Sequence, residues 1–182
     1  MRLFVAVDPP ADAVADLGAV VDTLEVSRAN APGRSTRLAA RERWHVTLAF
    51  LGDGPPSRAQ RALEALAVAP VPVRFAGGGT FGRGRFAVLW VGVAGDLRAV
   101  ADPVRRELRR ARVPFDAKPF RPHLTIARPG DRVAADRLAA DVATLATYAG
   151  PEWTVDAVHL VHSDLGPQPV HTRLASYPLR SP

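Results

Sequence analysis

The nine residues His45-Val46-Thr47-Leu48-Ala49-Phe50-Leu51-Gly52-Asp53 recur 78 positions later as His123-Leu124-Thr125-Ile126-Ala127-Arg128-Pro129-Gly130-Asp131. His, Thr, Ala, Gly and Asp occupy the same places in both copies. Each copy sets a His and a Thr two residues apart between branched apolar residues, the pattern of an extended strand that shows imidazole and hydroxyl side by side on one face. A fold that brings the two strands together therefore creates one site with two histidines and two hydroxyl donors. Chance is a weak rival: nine Thr in 182 residues and five His give about 0.25 His-x-Thr pairs at random.

The chain has length for one compact domain or two closely packed lobes, and a hydrophobic content of 47% supports a real core. A single domain over residues 1–182 is expected. No run of 18 or more apolar residues occurs, and Met1-Arg2-Leu3-Phe4-Val5-Ala6-Val7-Asp8 reads as a short strand closed by an acid and two prolines, too brief for a signal segment. A cytoplasmic protein with no membrane partner is expected. The lack of cysteine excludes a disulfide framework and a thiolate metal site.

Net charge is +6, and Lys118 is the only lysine among 24 basic residues. Arginine presents a planar fork suited to phosphate, so an acidic or nucleic-acid partner fits the composition. The arginines are nevertheless spread along the chain. The one cluster, Arg105-Arg106-Glu107-Leu108-Arg109-Arg110-Ala111-Arg112, fits a solvated helix face equally well.

Periodicity predicts a strand over 2–8, a helix over 11–26, a strand over 44–51, a helix over 56–68 and a strand over 71–76. The order then restarts: strand 85–93, helix 97–112, strand 121–127, helix 133–147, strand 153–162, and a last strand over 171–179. The repeat thus extends to whole β-α-β-α-β units, about 2–76 and 85–179. The expected fold is α+β: a bilobal internal duplication with two antiparallel sheets facing a central cleft, helices outside and equivalent His strands across the cleft.

Segments 28–36, 77–84 and 164–170 read as flexible connections that rim the cleft. Gly77-Gly78-Gly79-Thr80-Phe81-Gly82 matches a G-x-G-x-x-G pattern, but a strand rather than a helix follows, so no helix N-terminus is offered to a pyrophosphate. Gly79 and Gly84 have P-loop spacing without the required Lys-Ser/Thr. Pro103 falls inside the helix 97–112 and would break its ladder unless it is the first helical residue with Asp102 as N-cap, an alternative that starts the helix at 102.

Imidazole titrates near neutrality, so two histidines on opposite sides of one phosphorus can act as general base and general acid in one turnover. Thr47 and Thr125 can donate to the non-bridging oxygens as charge builds. Arg128 can add a charge-assisted contact, although strict alternation sets it opposite His123 unless a bend at Pro129 brings it round. Its counterpart Phe50 makes the two halves chemically unequal, which permits a directional mechanism.

The paired His-x-Thr motifs, Arg2-Leu3-Phe4-Val5-Ala6-Val7-Asp8, Trp44 through Gly52, Pro119-Phe120-Arg121-Pro122 before His123, and Tyr177-Pro178-Leu179 together resemble the two-histidine phosphoesterases. Within them the chain is most similar to the RNA 2′,3′-cyclic phosphodiesterases, also called 2′-5′ RNA ligases, from about Arg2 to Leu179. The resemblance implies metal-free hydrolysis of an RNA terminal 2′,3′-cyclic phosphate to a 2′-phosphate, with possible reverse ligation. It also implies that His45 protonates the leaving 3′ oxygen and His123 activates water, though the residues alone leave the reverse assignment open. His162 departs from the family, whose members often carry another basic or an acidic residue there.

Three other readings compete. A metal centre would recruit His159, His162 and His171, but His159 and His162 point to opposite faces of a strand and no cysteine or carboxylate cluster completes a shell; no metal and no cofactor are expected. Trp44, Trp90 and Trp153 could stack on bases, yet such residues within apolar strands are more often core. A non-catalytic RNA-binding module, or an enzyme acting on a cyclic nucleotide or an ADP-ribose cyclic phosphate, would share the motifs. An RNA end is the expected partner, and no oligomer is expected.

Overall fold

The computed structural model describes residues 2–164 and 170–181. The first part of the chain forms β1 (Arg2–Val7), α1 (Ala11–Thr23), α2 (Glu25–Arg28), β2 (Val46–Asp53), α3 (Pro56–Glu64) and β3 (Val71–Phe81). The second forms β4 (Val88–Gly95), α4 (Arg98–Arg110), β5 (His123–Ala127), α5 (Ala135–Ala146), β6 (Ala149–Val155), β7 (Ala157–Asp164) and β8 (Val170–Pro178). The strands make two four-stranded antiparallel sheets, β2-β1-β7-β8 and β5-β4-β3-β6. The α+β, two-sheet architecture expected from the repeat is the one found.

The sheets do not coincide with the two halves of the chain. β3, the last strand of the first unit, joins the second sheet, whereas β7 and β8 return to the first. The strand expected over 153–162 is consequently two strands in different sheets, parted at Asp156, whose carbonyl accepts from Leu179 N–H at 2.7 Å. Residues 149–164 are strand formers on both sides of Asp156, so periodicity carried no mark of the exchange. The helices interlock the halves further: α1 packs on β6 and β3 of the second sheet, and α4 on β2 of the first. A single large core of buried apolar side chains, including Leu17, Leu48, Leu63, Phe75, Leu124, Leu145 and Leu160, spans both sheets.

The helix expected over 11–26 breaks at Leu24, which is extended with φ −73° and ψ 152°. The break frees the Glu25 and Val26 N–H groups, and buried Asp141 of α5 accepts both, at 2.6 and 3.0 Å. The helix expected over 97–112 runs from Arg98 to Arg110 with Leu97 as its N-cap, so the alternative start at Asp102 is not the one found. Pro103 lies in its second turn, and the helix carries the proline within its length.

Segment 28–36 is fixed rather than flexible. Thr36 is buried; its Oγ1 donates to Val26 O at 2.9 Å, and its N–H donates to Asn30 Oδ1 at 3.1 Å. Gly77, Gly78 and Gly79 belong to β3, not to a connection. A Cβ on Gly78 would lie 2.5 Å from Leu145 Cβ, and one on Gly79 2.8 Å from the Trp90 ring, so the glycines let α5 and an indole press directly on the strand. Of segment 164–170, residues 165–169 lie outside the described residues. No helix among the described residues is long and apolar enough to cross a membrane.

Candidate active site

The two His strands are equivalent edge strands, β2 of the first sheet and β5 of the second, and they touch each other. Each carries a bulge at the same motif position. Ala6 pairs with Thr47 and Val5 with Ala49, leaving Leu48 over; Trp90 pairs with Thr125 and Leu89 with Ala127, leaving Ile126 over. From the His onward the six residues of both copies run half-buried, buried, half-buried, buried, buried, exposed. The extra residue resets the alternation, so Phe50 and Arg128 come onto the face of Thr47 and Thr125. Arg128 thus reaches the cleft through a bulge at Ile126, not through the bend at Pro129 that the sequence suggested. Each bulge is held from outside its ladder: Leu48 O accepts from Arg105 Nε at 3.0 Å, and Ile126 O from Ala39 N–H at 2.8 Å.

The imidazoles are oriented by a second repeated device. His45 Nδ1 lies 2.7 Å from Arg43 O, and His123 Nδ1 lies 2.6 Å from Arg121 O. A carbonyl can only accept, so each Nδ1 carries the hydrogen, and in the neutral ring Nε2 is the nitrogen left to exchange a proton. Aromatic rings seat both. His45 stacks on Phe4 at 4.8 Å, and His171 of β8 meets both rings edge-on at 5.2 Å. His123 stands edge-on to Phe81 at 4.8 Å, and Phe81 stacks on Trp90 at 5.1 Å.

Burial pushes both imidazoles below their ordinary titration range. The surrounding charges then separate them. Asp8 favours the protonated form of His45 against the opposing charge of His123, whereas the nearby charge of Arg128 disfavours protonation of His123. Burial also lowers His171, to which His45 and Arg43 add.

His45, Thr47, His123, Thr125 and Arg128 all line one cleft of about 1220 Å³, shared with Phe50. The structure therefore brings together every residue that the sequence nominated. A smaller cavity of about 640 Å³, walled by Asp8, Arg41 and Arg173, lies on the other side of Phe4, His45 and His171. Trp44 and Trp153 are core, and Trp90 supports the His123 seat instead of facing a base. Arg105, from the basic cluster, is structural: besides Leu48 it binds Lys118 O at 3.0 Å and lies over Phe115 and Phe120. His159 bonds Ser176 Oγ at 2.9 Å, and no three metal-ligating side chains converge among the described residues.

Sequence reasoning gave Phe4, Phe81 and Asp8 no role in the site and weighed His171 only as a metal ligand. The carbonyl device had a readable trace, because an Arg precedes each motif His by two positions, as Arg43 and Arg121. The ring seats had none, since Phe4 and Phe81 do not occupy equivalent positions in the repeat.

Two interlocked antiparallel sheets thus present equivalent His-Thr strands to one cleft, the arrangement of a two-histidine fold. The chain belongs to the 2′-5′ RNA ligase superfamily, whose family model matches residues 4–167. It is 31% identical to an RNA 2′,3′-cyclic phosphodiesterase of Thermus thermophilus over 99% of this chain and 91% of that one. It is 32% identical to a protein of the same name from Geobacillus stearothermophilus over 76% of this chain, the match covering 46%, about half, of that relative. A crystal structure of a Thermus thermophilus protein superposes with a TM-score of 0.74 at 30% identity, covering 100% and 99% of the two chains. Escherichia coli LigT, 20% identical, shares the fold with a TM-score of 0.74 over 99% and 98%.

Proposed function

We propose that this chain hydrolyses the 2′,3′-cyclic phosphate at an RNA end to a 2′-phosphate without a metal ion. The observation that carries the reading is the pair of equivalent imidazoles in one cleft, each with Nδ1 tied to a carbonyl and Nε2 free for proton transfer. His123 takes a proton from water as the water oxygen bonds to phosphorus. The bond from phosphorus to the 3′ oxygen breaks, and His45 gives that oxygen its proton. Thr47 and Thr125 donate to the non-bridging oxygens, and Arg128 offsets their charge. The charge environment favours this direction: Asp8 supports a protonated His45, and Arg128 a neutral His123. Relatives named RNA 2′,3′-cyclic phosphodiesterase support the substrate class. Action in the cytoplasm as a single chain belongs to the same reading.

The test incubates wild type and His45→Ala, in chelator, with a short RNA ending in a 2′,3′-cyclic phosphate. Formation of a terminal 2′-phosphate by the wild type alone supports the reading. A 3′-phosphate product, activity only with added metal, or full activity in the variant overturns it.

A further inference from the structure

Residues 37–39 form a short outer rung beside β5. Leu38 bridges to Ala127, Ala39 N–H donates to Ile126 O at 2.8 Å, and Arg128 N–H donates to Arg37 O at 3.3 Å. Arg37 therefore stands opposite Arg128, and both line the cleft. Two like charges that face each other across paired backbones repel. Among the described residues neither guanidinium has a carboxylate partner, and the Arg37 side chain makes no hydrogen bond. The backbone adds a second cost: Arg37 has a φ of 51°, in the left-handed region that a long side chain rarely adopts. Its neighbours hold it there. Arg37 N–H donates to Ser35 Oγ at 3.1 Å, Ser35 O accepts from Arg132 Nη1, and buried Thr36 is bonded through both its N–H and its Oγ1. A fixed segment thus carries an unpaired guanidinium to the cleft against charge repulsion and backbone strain, and an anion seated there removes the repulsion.

The terminal phosphate does not need this second arginine. A cyclic phosphate carries one negative charge, and Thr47, Thr125 and Arg128 already serve its non-bridging oxygens. Arg37 is exposed, whereas the two Thr and the two His of the motifs are half-buried, so Arg37 meets charge further out. The next negative charge along an RNA strand belongs to the phosphodiester that joins the terminal nucleotide to the one before it. We infer that Arg37 binds that internal phosphodiester, so that the site takes the end of a chain in preference to a free nucleoside cyclic phosphate; this rests on the cyclic-phosphate reading given above. Arg128 and Arg37 then set the course of the strand, with the terminal phosphate at β5 and the chain leaving over residues 37–39. A phosphate contact carries no base information, so the preference holds for any sequence at the end.

The test compares wild type, Arg37→Ala and Arg37→Lys on three substrates: adenosine 2′,3′-cyclic phosphate, the diadenosine dinucleotide ending in a 2′,3′-cyclic phosphate, and that dinucleotide with an uncharged methylphosphonate linkage. Binding of the diadenosine 2′-phosphate and of adenosine 2′-phosphate is measured by calorimetry on the same proteins. Wild type is expected to prefer the charged dinucleotide to both other substrates by about tenfold, chiefly through KM. Arg37→Ala should lose that preference and Arg37→Lys should keep most of it. The salt slope of dinucleotide binding, log affinity against log salt, should fall in Arg37→Ala by about 0.7, the value for one phosphate contact on a single strand. A preference unchanged in Arg37→Ala, an equal loss on all three substrates, or a wild type that treats the charged and uncharged linkages alike overturns the subsite while leaving the hydrolysis reading standing. No turnover by the wild type, with dinucleotide binding that still depends on Arg37, overturns the hydrolysis reading and keeps the subsite; neither turnover nor Arg37-dependent binding overturns both.

Discussion

Arg105 of α4 donates from Nε to the carbonyl of Leu48, the bulged residue of β2, at 3.0 Å. A helix that leaves the second sheet thus closes the irregularity that shapes the active strand of the first. The bulge exposes a carbonyl that the strand ladder cannot satisfy, and the guanidinium supplies the missing donor while its Nη1 binds Lys118 O. The interlocking of the halves has a direct role in setting the site.

Replacing Arg105 by Ala should therefore act on both stability and catalysis. Two bonds from a charged donor are lost, and each is worth about 1.5–3 kcal/mol. The expected result is a fall in unfolding free energy of about 3 kcal/mol together with reduced kcat/KM, as Thr47 and Phe50 lose their fixed register. Arg105→Lys should recover little, because a single ammonium cannot span both carbonyls. Denaturant titration and steady-state kinetics on the three proteins check this; wild-type kinetics in Arg105→Ala would mean that the bulge holds itself.

His45→Ala and His123→Ala should each lower kcat by about 10² to 10⁴ with little change in unfolding midpoint, since both rings are only partly buried. Thr47→Ala and Thr125→Ala should keep measurable turnover. Arg128→Ala should raise KM and lower kcat together, as expected of a group that meets phosphate charge in both ground and transition states. Unchanged kinetics in Arg128→Ala would remove that residue from the site despite its place in the cleft.

The pH profile should lie to the acidic side. Catalysis needs one imidazole neutral and the other protonated, so kcat/KM rises as the base loses its proton and falls as the acid does. Burial lowers both groups below the ordinary value of 6.5, which puts the maximum below that pH. Asp8 favours the charged form of His45, and removing its negative charge in Asp8→Asn lowers the acid further. The descending limb should then move to lower pH while the ascending limb stays. A shift of the ascending limb instead would reverse the assignment of acid and base. The other charged and titratable groups facing His45 are His123, His171 and Arg43, so the same profile on His171→Gln separates their influence from that of Asp8.

The repeat made the site legible because its chemistry is local: His and Thr two apart on a strand share a face whatever surrounds them. What escaped was set by pairing between distant segments. Nothing in Leu48 or Ile126 marks a bulge, which exists only in the mismatch with β1 and β4; strict alternation therefore set Arg128 on the wrong face. The exchange of β3 and β7 between sheets was hidden for a similar reason, as strand propensity does not name a partner. The glycines of β3 misled in the opposite direction. Read locally they are turn formers, but Trp90 and Leu145 need the space that a side chain would fill.

Asp141 offers the cleanest test of the packing outside the cleft. It is 2% exposed and lies on α5, yet it caps α2 by accepting from Glu25 and Val26. Burial raises its pKa against the pull of those two N–H donors, so the buried charge is tolerated only because both bonds are made. Asp141→Ala leaves two donors without an acceptor and should cost about 3 kcal/mol, each orphaned group contributing about 1–3 kcal/mol. Asp141→Asn keeps one acceptor and carries no charge, and should cost less. The sign of the pH dependence follows from the raised value: the ionised form is disfavoured in the folded state, so this residue adds stability as pH falls through its titration range and removes it as pH rises. Asp141→Asn abolishes that contribution. Urea unfolding of the three proteins across the acidic range checks both the order of stabilities and the lost slope; an Asn variant less stable than Ala would show that the amide nitrogen repels an N–H it was meant to replace.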